Sequence, residues 1–152
     1  MAAYFFDSSA LAKLYHSEPG TARVASIFHE PGRRILISRL TVLEMHSMFA
    51  IKVRTGVLTS AEAHTLRGHF RADLVSKGFQ VFAITDLHYG HAERLVLQYA
   101  FRHRLRSLDA LQLAVALDLK DQAITEQIVA ADMTVCEIAA AEGLSVIDPQ
   151  IP

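Results

Sequence analysis

The sequence predicts an α/β fold in which a parallel sheet is covered by helices on both faces. Three observations carry this reading. Short apolar runs of strand length alternate along the chain with helical patterns of ten or more residues. The runs are apolar throughout instead of alternating with polar residues, as strands buried on both faces are. Gly and Pro punctuate the junctions, which keeps each run and each helix short.

Taken in order, Ala3 to Phe6 is the first strand, followed by Asp7 and a helix patterned by Leu11, Leu14 and Tyr15. The helix stops at Glu18-Pro19-Gly20, and a second runs from Thr21 to His29 before Pro31-Gly32. Arg34 to Ser38, "RILIS", is a buried strand leading into a long helix that ends near Gly56. Thr59 or Ser60 caps the next helix and Gly78 closes it. "FQVFAIT" is a strand, and Thr85 or Asp86 caps a helix from about Leu87 to His103. Ser107 is expected to cap "SLDALQLAVALDLK". The strand "EQIVAAD", the helix "MTVCEIAAAEG" and the strand "LSVIDP" complete the pattern, with right-handed crossovers throughout.

With 152 residues, 51% of them hydrophobic and 20% charged, the chain suits one folded domain over residues 1–152. A formal net charge of −1 gives no global signal for nucleic acid, so any such site needs a local basic patch. The single Cys136 excludes a disulfide framework and a Cys-rich zinc site. No apolar run approaches the ~20 residues of a membrane span and no signal segment opens the chain, so the expected location is the cytoplasm.

Ligands of open parallel sheets bind beyond the carboxyl ends of the strands. Asp7 and Asp132 fall there directly, after the first strand and after "QIVAA". Each also opens a helix, so an N-cap is the alternative role for both. Glu44 shares a helix face with Leu40, Ser47 and Met48, where an unpaired carboxylate is costly. Its structural alternative is a salt bridge to Arg39 or Lys52. Asp109 sits in the first turn of an otherwise apolar helix, with "RHRLRS" upstream as an ion-pair source. Four acids at the heads of four helices can converge on one point. Their mutual repulsion is then relieved by a divalent cation such as Mg²⁺ or Mn²⁺, which prefers carboxylate oxygen and water.

These residues resemble those of the PIN domain (PilT N-terminus) family, and in particular its VapC-like toxins. "FFDSSALAKLYHSEPG" is similar to the family's opening, with Asp7, Ser9, Ala10, Leu11 and Lys13 in register and Glu18 following. "SRLTVLEM" resembles its Ser-x-x-Thr-x-x-Glu segment through Ser38, Thr41 and Glu44. "RSLDALQLAVAL" resembles its Asp-Ala-Leu-His/Gln-Leu-Ala motif through Asp109, and the closing strand-Asp-helix unit gives Asp132. Two positions depart from the pattern. Ala130 stands where many members have Thr or Ser, and Met-Thr-Val follows Asp132 where a basic residue and Leu are common.

The resemblance implies a three-layer α/β/α fold around a parallel sheet of four to five strands. It further implies Mg²⁺- or Mn²⁺-dependent endonucleolytic cleavage of RNA, with Asp7, Glu44, Asp109 and Asp132 as catalytic and metal-holding residues. It also implies a homodimer and a small antitoxin protein as partner. RNA, tRNA among the candidates, would need cations near the acids, and Ser9, Lys13 and Arg106 are the expected substrate contacts. Arg102 and Arg104, and the set Arg33, Arg34 and Arg39, are further sources of charge. His88 and His91 have a spacing that can bind metal, but without a third ligand a solvated helix face is the expectation, and Cys136 reads as a small core residue. Leu43, Met45, Met48, Phe49, Leu66 and Phe70 on two successive helices suit either a partner surface or core. A receiver-like domain is set aside, because only Asp7 follows the first strand and the last strand has no Lys. The alternative function is a PIN-fold module that binds RNA or protein without cleaving.

Overall fold

Tyr4, Phe5 and Phe6 are all buried, and consecutive strand residues point to opposite faces of a sheet, so both faces must be covered. Tyr4 and Phe6 join one apolar core and Phe5 joins the other. The same split recurs in the neighbouring strand, where Ile35 and Ile37 face one core and Leu36 faces the other.

In the computed structural model, which describes residues 2–152, five strands form one sheet. They are β1 (Ala3–Phe6), β2 (Arg34–Ser38), β3 (Gln80–Phe82), β4 (Gln127–Val129) and β5 (Ser145–Ile147). Met1, the first residue of the expected 1–152 domain, lies outside the described residues. The order is β3-β2-β1-β4-β5 and every pairing is parallel, with Tyr4 opposite Ile35 on one side and Gln127 on the other. Strand order therefore reverses between β1 and β4.

The helices are α1 (Ser8–Tyr15), α2 (Thr21–His29), α3 (Arg39–Arg54), α4 (Ser60–Ser76), α5 (Asp86–Tyr99), α6 (Ser107–Asp121) and α7 (Met133–Ala141). Helices α1 to α4 supply Leu11, Phe28, Phe49 and Phe70 to the core on the Tyr4 face. Helices α5 to α7 supply Leu95, Leu113 and Ile138 to the core on the Phe5 face. The result is the expected three-layer α/β/α arrangement. No helix among the described residues is long and apolar enough to cross a membrane.

Several local expectations shift, each for a physical reason. Strand β3 ends at Phe82, before the expected Ile84-Thr85, because its only partner β2 ends at Ser38 and turns into α3. Strands β4 and β5 are likewise limited to three residues each by their mutual pairing. Helix α5 stops at Tyr99, where Arg102 and His103 both donate backbone bonds back to the Tyr99 carbonyl and close the turn. Arg106, not Ser107, occupies the N-cap of α6, so Ser107 is its first helical residue. Gly20 begins α2 at φ +99°, and an added Cβ there would lie 3.0 Å from the Pro149 backbone, which explains the turn after Glu18-Pro19.

His88 is buried rather than solvated. The Thr85 N–H donates to its Nδ1 (3.0 Å), which makes Nε2 the protonated nitrogen and lets it donate to Asp118 at 2.8 Å. The paired helices α3 and α4 divide their apolar residues: Met45, Phe49 and Phe70 are core, whereas Leu43 stays 66% exposed. Leu43 lines a surface groove of about 640 Å³ with Leu40, Val42, His46 and Ile84, and none of the four acids lines it.

Candidate active site

Asp7 lies at the carboxyl end of β1, beside the reversal of strand order. Its backbone N–H donates to Val129 (3.0 Å), the last rung joining β1 to β4. Its Oδ2 caps α1, accepting from the Ser9 N–H (3.2 Å) and the Ser9 hydroxyl (2.5 Å). That hydroxyl also accepts from the Ala131 N–H at 3.0 Å, so Ser9 stitches the start of α1 to the segment leading to Asp132. Asp7 is buried, and among the described residues no Lys, Arg or His forms an ion pair with it. Burial pushes its carboxyl up to about 6; the Ser9 hydrogen bonds pull down, while the charges of Glu44 and Asp109 push up. Three of the four sequence-derived acids therefore act on one another through space.

Glu44 is half-buried and is held by neither Arg39 nor Lys52. Its partner is Gln112 of α6, whose amide nitrogen donates to Glu44 Oε1 at 2.6 Å and to Thr41 Oγ1 at 2.8 Å. The Gln112 carbonyl accepts from the Ser38 hydroxyl at 2.7 Å. Ser38 in turn caps α3, accepting from the Thr41 N–H at 3.2 Å. Both amide hydrogens and the carbonyl of this fully buried Gln are thus satisfied, which fixes its orientation. Burial raises the Glu44 pKa and the Asp109 charge adds to this, while Gln112 opposes them. Sequence reading grouped Ser38, Thr41 and Glu44 but missed Gln112 as their common partner. Its signal was a lone amide in the apolar run Ala110 to Leu117.

Asp109 is buried in the first turn of α6, and Arg106 Nε donates to its Oδ2 at 3.0 Å. The Arg106 side chain is otherwise 69% exposed, so it rims the acids. Its pKa is raised first by Asp109, with smaller contributions from Asp132 and Glu44, which places all three carboxylates in its field. Asp132 caps α7, accepting from the Val135 N–H at 3.0 Å. It follows β4, so Asp7 and Asp132 end the two strands flanking the switch point.

Other expected residues lie elsewhere. Lys13 is buried in the last turn of α1, with its ammonium on Glu18 at 3.4 Å; Lys52 approaches the same carboxylate at 3.6 Å. Arg33 and Arg34 precede β2 or begin it, whereas Arg39 follows its end, about 17 Å along the strand. They do not form one cluster. Cys136 donates its thiol to the Ala130 carbonyl (3.2 Å), and burial raises its pKa to about 11, which leaves it inert at neutral pH.

Among the described residues, no three Asp, Glu, His or Cys groups stand as a ready-made cation site. The donor chemistry nevertheless suits a hard cation. The site offers carboxylate oxygen without Cys or His, and Asp7 is buried with no positive partner. Mg²⁺ retains several waters and commonly takes one or two carboxylates from the protein, so it does not require a closed cage.

Several solved structures share the fold of this chain over nearly its full length. VapC20 of Mycobacterium tuberculosis, a sarcin–ricin-loop-cleaving toxin, is 17% identical and superposes with a TM-score of 0.65, covering 93% of this chain and 96% of its own. FitAcB of Neisseria gonorrhoeae is 14% identical with a TM-score of 0.67, covering 98% and 99%. VapBC2 of Rickettsia felis, bound to a DNA fragment from its promoter, is 11% identical with a TM-score of 0.64, covering 95% and 97%. No curated protein shows significant sequence similarity to the chain. The PIN domain family model matches residues 4–133, a span that contains Asp7, Glu44, Asp109 and Asp132. With that match over most of its length and the sheet order and acids described above, the chain belongs to the PIN domain family.

Proposed function

We propose that this protein is a divalent-cation-dependent endoribonuclease and the toxin of a toxin–antitoxin pair. The observation that carries the reading is the buried, unneutralised Asp7, coupled through space to Glu44 and Asp109 at the switch point of the sheet. A cation bound at this point would relieve the repulsion.

Asp7, Glu44 and Asp109 would hold the ion, with Asp132 supporting a second ion or a water. Bound there, Mg²⁺ or Mn²⁺ supplies Lewis acidity: it acidifies water and offsets charge on the phosphate undergoing hydrolysis. The chain's own residues do the rest. Gln112 holds the Glu44 carboxylate where α3 meets α6, and Ser9 keeps Asp7 fixed against the Ala131 backbone. Arg106, mostly exposed yet in contact with Asp109, would meet a substrate phosphate at the rim of the acids. No Ser, Cys or His nucleophile is needed.

The neighbouring structures include a toxin–antitoxin complex from Klebsiella pneumoniae, and by analogy a small antitoxin is the proposed partner here, with a homodimer as the proposed assembly. The deciding experiment is cleavage of a mixed tRNA and structured-RNA pool in EDTA, Mg²⁺ or Mn²⁺, with Asp109→Asn alongside. Cutting that needs the cation and is lost in the variant supports the assignment. Cutting that persists in Asp109→Asn overturns the site. No cutting by antitoxin-free wild type overturns the activity and leaves a non-cleaving binding module.

A further inference from the structure

Residues 100–106, between α5 and α6, present an aromatic side chain that nothing covers. Phe101 is fully exposed, with a relative accessibility of 101%. Arg102 and Arg104 are exposed beside it, and Arg106 reaches Asp109 at the rim of the acids. The segment is nonetheless well anchored. Arg102 and His103 donate backbone bonds to Tyr99 at 3.0 and 2.9 Å, and the His103 ring packs edge-on to Tyr99 with centroids 5.9 Å apart. His103 Nδ1 lies 3.3 Å from Glu137 of α7, and Leu105 is buried in the core. Inward anchors thus alternate with outward residues: Phe101, Arg102 and Arg104 point away from the protein, and His103 and Leu105 point into it.

We infer that residues 101–106 form a recognition ridge for unpaired RNA, on which a base stacks against Phe101 while Arg102 and Arg104 contact the flanking phosphates. The inference rests on the ribonuclease reading and adds the residues that would hold the strand. An uncovered phenyl ring on an anchored segment, among guanidinium groups, has the chemistry of a single-strand site: every base has a π-face to stack, and the arginines track the backbone. A duplex keeps its bases stacked internally and offers the ring nothing. Charge complementarity favours this occupant over a second copy of the chain, because two such ridges would bring arginines together. Phe101 lies at most about 18 Å along the chain from Arg106, so a base stacked there belongs to a strand that can also reach the acids.

Binding separates this inference from the activity it rests on. Fluorescence anisotropy in EDTA, with a short labelled single-stranded oligoribonucleotide and its duplex, reads affinity without cleavage. Wild type should prefer the single strand. Phe101→Leu should lose about tenfold in affinity and Phe101→Trp should retain it, both with an unchanged salt dependence. Arg102→Gln and Arg104→Gln should each flatten the slope of log affinity against log salt by about 0.7. Equal affinity of Phe101→Leu and wild type, or equal binding of duplex and single strand, overturns the ridge even if cleavage is observed. Dissociation of a dimer by Phe101→Leu, with RNA affinity unchanged, assigns the ring to a second copy and overturns it as well.

Discussion

Asp7 is both a helix cap and a buried acid, and its two roles oppose each other energetically. The Ser9 hydrogen bonds favour the carboxylate, but burial and the charges of Glu44 and Asp109 favour the protonated form. In the folded protein its pKa is therefore about 6, against 3.8 for an ordinary Asp. Below about pH 4 both states hold the proton and the group is neutral to stability. As pH rises towards 6 the unfolded chain releases its proton first, so the folded state loses stability, by about 3 kcal/mol in full. Urea denaturation in EDTA between about pH 4 and pH 7 should show this loss as a widening gap between wild type and Asp7→Asn, making the variant the more stable protein at neutral pH. A wild-type curve parallel to that of Asp7→Asn would remove the argument for a strained carboxylate. Gln112 is the converse case, a buried polar group with every partner in place. Gln112→Met keeps the volume but leaves Ser38, Thr41 and Glu44 without their shared amide, which should cost about 1–3 kcal/mol in stability and lower kcat. Retention of kcat by this variant would mean that Glu44 needs no aiming. The four acids were legible in the sequence because each stands at a helix head or on an apolar face. Gln112 was not, since its role depends on two helices crossing, and no local pattern reports a crossing.

At the scale of elements, His88 shows how a motif can mislead. His88 and His91 stand one helical turn apart and suggest either metal ligands or a wet surface. Instead, Thr85 and His88 close the start of α5, and the second ring nitrogen ties α5 to Asp118 near the end of α6. His88→Leu should therefore lower the unfolding free energy by about 2 kcal/mol while leaving cleavage and its cation dependence unchanged. Loss of cleavage in a folded variant would contradict this purely structural role. Element type and order were legible throughout, because apolar runs and helical periodicity are local properties. Ends were less so. Strand β3 is shorter than its apolar run because pairing, not hydrophobicity, sets a strand's length, and its partner turns away at Ser38. The arginine pattern failed for a related reason: residues close in sequence across β2 are carried to opposite edges of the sheet.

Across the whole molecule, the order β3-β2-β1-β4-β5 gathers acids from four separate segments at one edge. A net charge of −1 gives no hint of this, because the segregation of charge is a product of topology. The apo fold carries the repulsion at a cost to stability, and a cation that binds only the folded state returns that stability by mass action. At a free cation concentration one hundredfold above Kd, the expected gain is about 2.7 kcal/mol. Thermal denaturation should accordingly shift upward when Mg²⁺ or Mn²⁺ replaces EDTA. Glu44→Gln and Asp109→Asn should abolish most of the shift if, as proposed, each acid supplies a charged oxygen to the cation. His88→Leu, destabilised for an unrelated reason, should keep the full increment from its lower starting point. That contrast separates a cation held by the acids from a general salt effect, which would raise all of the variants alike. A full shift in Asp109→Asn would place the cation elsewhere, and Arg106 would then remain as the permanent partner of Asp109.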